Sequence, residues 1–259
     1  MTKRRFCIWF VVIATGLVVV GCRDNPKQEG VLGEGGVHDP DGVLDEDGPG
    51  PGAQTGINSE DIVQINRSGE LVARTFSLKD FDKIEASMFD VDIQQGDSFA
   101  VAISVERNAL AYVRVSVENK WLKIGLDPSH SYNMADIVLQ AQVTMPNLTD
   151  IDLSLSSEST VSGFENVADV SISLDLASTL TGNWVTGDCD ISLALGSRLA
   201  LTGAGKDMTL TASGSSKAEL AEFQVENVTA HAEGNSMVTV NANGDLDKTA
   251  DSSSIVTSD

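Results

Sequence analysis

Basic residues are scarce in this sequence, and their scarcity excludes one class of partner. Lys and Arg number 17 against 38 Asp and Glu, which gives a formal net charge of -21 at pH 7. A chain this acidic repels nucleic acid phosphates and anionic lipid head groups. We therefore expect no nucleic acid partner.

Cysteine is scarce as well, with only Cys7, Cys22 and Cys189 in the chain. If Cys7 is removed with a signal peptide and Cys22 is acylated, Cys189 has no partner for an intramolecular disulfide. Packing and backbone pairing must then stabilise the fold. Cys189 aligns with apolar residues of a repeat, which predicts a small buried residue and not a reactive thiol.

The motifs of common enzyme and metal sites are also missing. The chain has no Gly-x-Ser-x-Gly motif and no phosphate-binding loop. Its three histidines, His38, His130 and His231, are scattered between a linker, a loop and a repeat, so they form no zinc site. Aspartates between Asp39 and Asp47 resemble a calcium loop but lack the Glu that an EF-hand needs. The sequence predicts no catalytic residue, metal site or cofactor.

The N-terminus carries the signals for export and anchoring. Three basic residues precede an apolar stretch, Phe6 to Val20, which is shorter than the roughly 20 residues of a membrane-spanning helix. Gly21 and Cys22 follow, and they resemble the lipobox of bacterial lipoproteins, in which the cysteine is acylated and the peptidase cuts before it. We predict a signal peptide over residues 1–21, cleavage between Gly21 and Cys22, and lipid on Cys22. An ordinary signal peptide or an uncleaved anchor is the alternative.

The next segment, residues 22–65, has little that could form a core. It is rich in Gly, Pro and Asp, and its few apolar residues show no period. Such a composition cannot offset the entropy lost on ordering. We predict a flexible acidic spacer. Arg23, in place of an aspartate after the lipid-bearing cysteine, favours sorting to the outer membrane.

A repeat of about 19 residues fills the C-terminal part of the chain. Apolar residues stand eight, six and four positions before and two after each recurring serine, with Lys248 as the only exception. Polar residues lie between them, so each repeat contains a strand with one buried face. The serines are Ser159, Ser178, Ser197, Ser216, Ser236 and Ser254.

A fixed repeat of this length predicts stacked coils. We therefore expect an all-β fold in which residues 148–259 form a parallel β-solenoid, right-handed by the usual chirality of parallel crossovers. Each serine should lie at a corner, where its hydroxyl binds the backbone or a neighbouring serine; a ligand-binding ladder is the alternative. The outward positions five residues earlier form a candidate binding ladder of Ser154, Ser173, Ser192 and Thr211.

Residues 66–147 have a different pattern. Alternating strands are separated by short polar turns, and Glu118–Asn119–Lys120 indicates a tight turn between antiparallel strands. We expect a strand-rich region that stacks on the first coil and closes the N-terminal end of the solenoid.

From Phe81 onward the chain resembles the head GIN domain family, often described as putative auto-transporter adhesins. The resemblance is carried by Phe81–Ile84, Val91–Asp97 and Asn119–Ile124, and by paired small residues at the later corners. It covers about 180 residues. It implies a β-solenoid, a lipoprotein signal, an extracytoplasmic location and no established enzymatic activity.

Enzymes that degrade polysaccharides also use parallel β-helices, so catalysis is an alternative. Their sites need clustered carboxylates with basic residues or bound calcium. Asp152 and Asp190 are predicted to lie two coils apart, roughly 9.6 Å, at the wide limit of an inverting pair and without a basic neighbour. A solvated surface is the preferred interpretation of both.

Anchor, spacer and regular polar rows together lead to one functional hypothesis. The chain is expected to be an exported lipoprotein, held by its lipid at the outer membrane or cell surface. Its non-catalytic, adhesin-like head would contact a glycan or a protein through Ser-, Thr- and Asp-rich faces. The alternatives are a structural envelope protein without a specific ligand and a polysaccharide-active enzyme.

Overall fold

The computed structural model describes residues 62–165 and 169–258, together with the backbone of two short strands near the N-terminus. Gly21, Cys22 and most of the predicted spacer lie outside the described residues, so the signal peptide and the lipid remain predictions. In the described part of the chain, no helix has the length and hydropathy needed to cross a membrane.

The strands in chain order are β1 (Ile13–Ala14), β2 (Leu17–Val18), β3 (Ile62–Asn66), β4 (Leu71–Phe76), β5 (Lys83–Ser87), β6 (Asp90–Gln95), β7 (Ala100–Glu106), β8 (Val113–Glu118), β9 (Trp121–Leu126), β10 (Ser131–Ala135), β11 (Leu139–Met145), β12 (Asp150–Ser154), β13 (Glu158–Phe164), β14 (Val170–Leu174), β15 (Thr179–Val185), β16 (Cys189–Leu193), β17 (Arg198–Ala204), β18 (Asp207–Ala212), β19 (Lys217–Val225), β20 (Asn227–Ala232), β21 (Met237–Ala242), β22 (Leu246–Ala250) and β23 (Ile255–Ser258). A 3₁₀ turn, Leu110–Tyr112, precedes β8.

The chain divides into two compact units. The smaller comprises Met1–Gln64 and Ser129–Asn133, and the larger comprises Ile65–Pro128 and Met134–Asp259. β1 pairs with β2, and β3 forms a two-stranded sheet with β10. A strand therefore begins at Ile62, where the sequence predicted the last residues of a flexible spacer. Its partner strand is some 65 residues away in the chain, so the local composition carried no sign of it.

The larger unit is built from two sheets. The ten-stranded sheet has the order β23-β21-β19-β17-β15-β13-β6-β11-β7-β4, and the nine-stranded sheet has the order β22-β20-β18-β16-β14-β12-β5-β9-β8. From β12 to β23, successive strands alternate between the sheets, and each pairs in parallel with the equivalent strand of the next coil. The predicted parallel β-solenoid is confirmed.

The region before the repeat belongs to the same two sheets. β5 and β6 form a further coil that pairs in parallel with β12 and β13, and β9 and β11 stack in parallel on its other side. β4, β7 and β8 add antiparallel strands at this end. β8 and β9 form the predicted tight hairpin, with positive φ at Asn119 and Lys120. The expected strand-rich region stacked on the solenoid is therefore present.

The inward side chains fill the space between the two sheets. Val170, Cys189 and Met208 form one buried column, as the sequence predicted. Burial raises the pKa of the Cys189 thiol, in agreement with its interpretation as a structural residue.

The predicted register of the first repeat is wrong by two residues. Ile151 pairs with Ile172 and not with Val170, so the repeat between β12 and β14 is two residues longer than 19. A β-bulge in β13, between Val161 and Phe164, takes up part of the extra length. The corner serine of this coil is therefore Ser157, while Ser159 faces inward beside Leu180.

Candidate functional site

The recurring serines are structural corner residues. Ser178, Ser197, Ser216 and Ser236 are buried, and each hydroxyl donates to the carbonyl oxygen three residues earlier, where the chain turns through two residues with positive φ. Ser197 Oγ, for example, lies 2.6 Å from the Ala194 oxygen. The same bond is made by Ser157, Ser178, Ser216 and Ser236. Because these hydroxyls are occupied and inaccessible, the corner prediction is confirmed for Ser178, Ser197, Ser216 and Ser236, and their column cannot serve as a ligand ladder. It is wrong for Ser159, whose place is taken by Ser157. Ser254 is half-buried, and its hydroxyl accepts a hydrogen bond from the Ser236 amide.

The candidate ladder lies on the solvent-facing side of the nine-stranded sheet, which we call the ladder face. Ser173 pairs with Ser192, and Ser192 pairs with Thr211, so these three side chains form one outward row across β14, β16 and β18. Ser154 is not in this row. Asp152 occupies its place beside Ser173, because of the two-residue error in the first repeat.

The hydroxyls of this row lie at the surface of the sheet. Ser192 and Thr211 are exposed and Ser173 is half-buried. None of the three side chains makes a hydrogen bond to another described residue, in contrast to every corner serine from Ser157 to Ser236. Neighbouring strands in a sheet are about 4.8 Å apart, so the hydroxyls repeat at that interval.

A second outward row runs beside the first. Its members are Asp150, Ser171, Asp190, Thr209, Thr229 and Asp247. The sequence predicted that Asp152 and Asp190 lie two coils apart at the same position of the repeat, and this is also wrong, since Asp152 belongs to the first row. Asp152 and Asp190 therefore differ in both row and coil.

Asp152 carries a carboxylate with a raised pKa on the ladder face. It is half-buried, and within the described ranges no Lys or Arg pairs with it. Burial raises the pKa of this carboxyl, and the nearby Glu85 and Asp175 carboxylates raise it further. Asp150, in contrast, is held by Lys83 at 3.0 Å.

The ladder face continues past the repeat onto strands that the sequence assigned to a separate N-terminal region. β5 contributes Lys83 and Glu85, and β9 contributes Trp121 and Lys123. Lys83 Nζ lies 5.4 Å from the Trp121 ring centroid, and Lys123 lies 3.3 Å from Glu85. Sequence reasoning missed these residues, although their alternation with the buried Ile84 and Leu122 indicates that their side chains face outward.

Asp152 and Asp190, the pair considered for the enzyme alternative, are not neighbours on this face, since Asp152 pairs with Ser173 and Asp190 pairs with Ser171. The basic residues Arg198 and Lys217 pair on adjacent coils, but they belong to the ten-stranded sheet and not to the sheet of the aspartates. Among the described residues, no group of three or more His, Cys, Asp or Glu side chains could hold a metal ion. His231 Nδ1 lies 2.7 Å from Thr249 Oγ1, while His38 is outside the described residues.

Comparisons with known proteins agree with the fold and with the resemblance. A family model described as "Putative auto-transporter adhesin, head GIN domain" matches residues 80–258. No curated protein matches the chain.

Solved bacterial structures share the fold at low sequence identity. A putative adhesin from Bacteroides fragilis has a TM-score of 0.65 at 17% identity, covering 75% of this chain and 100% of its own. A putative lipid binding protein from Parabacteroides distasonis has a TM-score of 0.61 at 14% identity, covering 76% and 100%. A putative adhesin from Parabacteroides merdae has a TM-score of 0.54 at 12% identity, covering 76% and 99%.

Proposed function

The chain belongs to the head GIN domain family of adhesin-like proteins, and from this premise we propose that it is an exported surface lipoprotein whose solenoid head contacts glycans without catalysis. The head would bind through the ladder face, and a lipid on Cys22 would hold the protein at the outer membrane or cell surface. The acidic spacer after Cys22 would lift the head away from the bilayer.

The observation that carries the proposal is the row of free hydroxyls on the ladder face. The side chains of Ser173, Ser192 and Thr211 point outward in register, and their hydroxyls make no hydrogen bond to another described residue. Hydroxyl groups both donate and accept hydrogen bonds, as do those of a sugar. A flat row repeated on successive coils offers several such contacts to an extended glycan.

A glycan is favoured over a protein as the partner because the ladder face exposes polar side chains. Protein interfaces bury aromatic and aliphatic side chains at their centre. Among the described residues, the exposed large hydrophobic side chains are Leu71, Leu195, Met237 and Ile255, and none of them lies on a strand of the nine-stranded sheet. Stacked hydroxyls and carboxylates fit a hydroxyl-rich ligand better.

The binding part of the proposal is tested with one bulky substitution on each sheet. Ser192→Arg covers the ladder face, and Thr181→Arg is its matched control, since Thr181 is equally exposed on the ten-stranded sheet. We expect polysaccharide binding to the full-length protein, measured by biolayer interferometry, to fall at least tenfold in Ser192→Arg only. Equal binding by both variants would contradict the ladder face as the site. Saturable binding to an extracellular protein and to no glycan would favour a protein partner.

The anchor is tested separately. In the bacterial host, Cys22→Ala should abolish incorporation of radiolabelled palmitate and move the protein from the membrane to the soluble fraction. Cys189→Ala is the control, because Cys189 is buried inside the solenoid. A Cys22→Ala protein that still fractionates with membranes would overturn the lipid anchor.

A further inference from the structure

A concave surface lies on the ten-stranded sheet, on the side of the solenoid opposite the ladder face. It is an open pocket of about 590 Å³ over β4, β7 and β11. Two small side chains of β7, Ala100 and Ala102, form part of its lining. Ala102 is flanked across the sheet by Thr75 and Gln142. Because an alanine stands between longer neighbours, the outer surface of the sheet is indented there. We call this indentation the alanine pocket.

The wall of the alanine pocket contributes an aromatic ring. Phe99 is half-buried and lines the pocket. The buried Phe81 supports it, with the ring centroids 4.8 Å apart. A ring held in this way offers a preorganised apolar surface. The face of an aromatic ring is electron-rich, so it attracts C–H groups of positive partial charge, such as those on one face of a pyranose.

The polar residues of the pocket have side chains without a partner among the described residues. The hydroxyls of Thr75 and Thr144 and the amide of Gln142 make no hydrogen bond to another described residue. Lys79 makes no ion pair within the described part of the chain. Together they provide donors and acceptors around an apolar surface, which is the usual composition of a small-molecule site.

The charge around the pocket favours a neutral ligand. Lys79 is followed directly by Asp80, and Gln142 is paired across the sheet with Asp92. Charges within a Debye length of about 8 Å act on a ligand at physiological salt. One lysine among carboxylates does not make an anion site, but its ammonium can still donate hydrogen bonds to sugar oxygens.

We propose that the alanine pocket binds one neutral sugar residue of a glycan, with its apolar face against Phe99 and its hydroxyls bound by Thr75, Gln142, Thr144 and Lys79. This proposal rests on the proposed function in that the partner is a glycan, and it adds a site on the opposite sheet. A single hexose in such a site binds with a dissociation constant on the order of 1 mM. Many copies on one cell would raise the overall affinity.

The structure offers a matched pair of variants for the test. Ala102 and Ala200 lie in one outward row that crosses the ten-stranded sheet strand by strand. Both are half-buried, but only Ala102 lines the pocket. Ala102→Leu fills the pocket, and Ala200→Leu adds the same atoms elsewhere on the same surface. Circular dichroism checks that both variants remain folded.

Saturation-transfer NMR on the full-length protein, with a panel of neutral and uronic monosaccharides, measures binding. We expect at least one neutral sugar to bind, at least tenfold weaker binding in Ala102→Leu, and no change in Ala200→Leu. Binding that is equal in both variants, absent for all sugars or restricted to uronic acids overturns the proposal. If the pocket fails in this way while polysaccharide binding is still lost in Ser192→Arg, the proposed function stands. If Ala102→Leu alone weakens sugar binding while Ser192→Arg and Thr181→Arg bind polysaccharide equally, the pocket proposal stands and the ladder face is not the binding site.

Discussion

Trp184 and Gly203 occupy paired positions on adjacent coils, and the backbones come so close that a side chain at Gly203 would collide with the Trp184 carbonyl oxygen. Gly203 also pairs with Phe223 on the following coil. Trp184 and Phe223 are both fully buried. The φ of Gly203 is 120°, a conformation that residues with a Cβ rarely adopt. A glycine between two large aromatic residues therefore shapes this part of the core.

Gly203→Ala is expected to lower the free energy of unfolding by about 3 kcal/mol, through backbone strain and collision with Trp184. Gly196→Ala is the control, because Gly196 also has a positive φ but has no atom within 4 Å of an added Cβ. In Gly196→Ala, backbone strain alone should lower the free energy of unfolding by about 1 kcal/mol. Urea denaturation of both variants measures the difference. An equal loss of unfolding free energy in both variants would show that the close approach of the coils at Gly203 does not contribute to the cost of the substitution.

The corner serines and the ladder serines should respond differently to the loss of their hydroxyls. Ser197→Ala removes a buried hydrogen bond to Ala194 and should cost about 1 to 2 kcal/mol of unfolding free energy. Ser192→Ala removes an exposed, unpartnered hydroxyl and should change stability by less than about 0.5 kcal/mol. Thermal and chemical denaturation check the two values. A similar loss in both variants would contradict the structural role of the corner hydroxyls.

Glu106 should make the head sensitive to acid. Its carboxylate is buried, and Oε2 accepts hydrogen bonds from the Ser68 hydroxyl at 2.5 Å and from the Ser68 and Gly69 amides. The Ser68 hydroxyl is the main cause that lowers the pKa of Glu106. A lowered pKa means that the native state prefers the ionised form. The resulting stability is complete above the pKa of the unfolded chain and is lost as pH falls through the lowered value.

We therefore expect Glu106→Gln to unfold at a lower urea concentration than the unsubstituted protein at pH 7. The difference should shrink as pH falls below about 4, where an ordinary glutamate is protonated. Glu222→Gln, at an exposed position on β19, should have the same midpoint as the unsubstituted protein at both pH values. An unchanged midpoint in Glu106→Gln at pH 7 would show that the hydrogen bonds from Ser68 and Gly69 to the ionised carboxylate do not stabilise the fold.

Asp152 should have the opposite effect on stability. Its pKa is raised, chiefly by burial, so the native state holds the proton more tightly than the unfolded chain does. Ionisation then removes stability as pH rises through the raised pKa. Asp152→Asn is expected to raise the free energy of unfolding at pH 7, by less than about 1 kcal/mol because the group is half-exposed. The gain should disappear at low pH in urea denaturation, and a loss of stability at pH 7 would contradict it.

The regular part of the solenoid could be predicted because its signals are local. Val170, Cys189 and Met208 recur at one spacing and alternate with polar residues, and this alternation alone places them inside. Ser173, Ser192 and Thr211 were placed outside in one row by the same argument. The prediction failed at Ser154 and Ser159, because the first repeat is two residues longer than 19 and the bulge in β13 takes up part of that extra length.

By itself, the sequence determined the parallel solenoid, the serine corners and the outward row of the ladder face. In a regular repeat, equivalent residues of successive coils have the same environment, so one coil predicts the next. Only the tertiary structure decided that β5 lies between β9 and β12, that Trp121 therefore extends the ladder face, and that Ala102 lies in an indentation. Each strand presents the same backbone donors and acceptors, so nothing local identifies its neighbours. The choice among partners is made by how the side chains of distant segments fill the space between the two sheets.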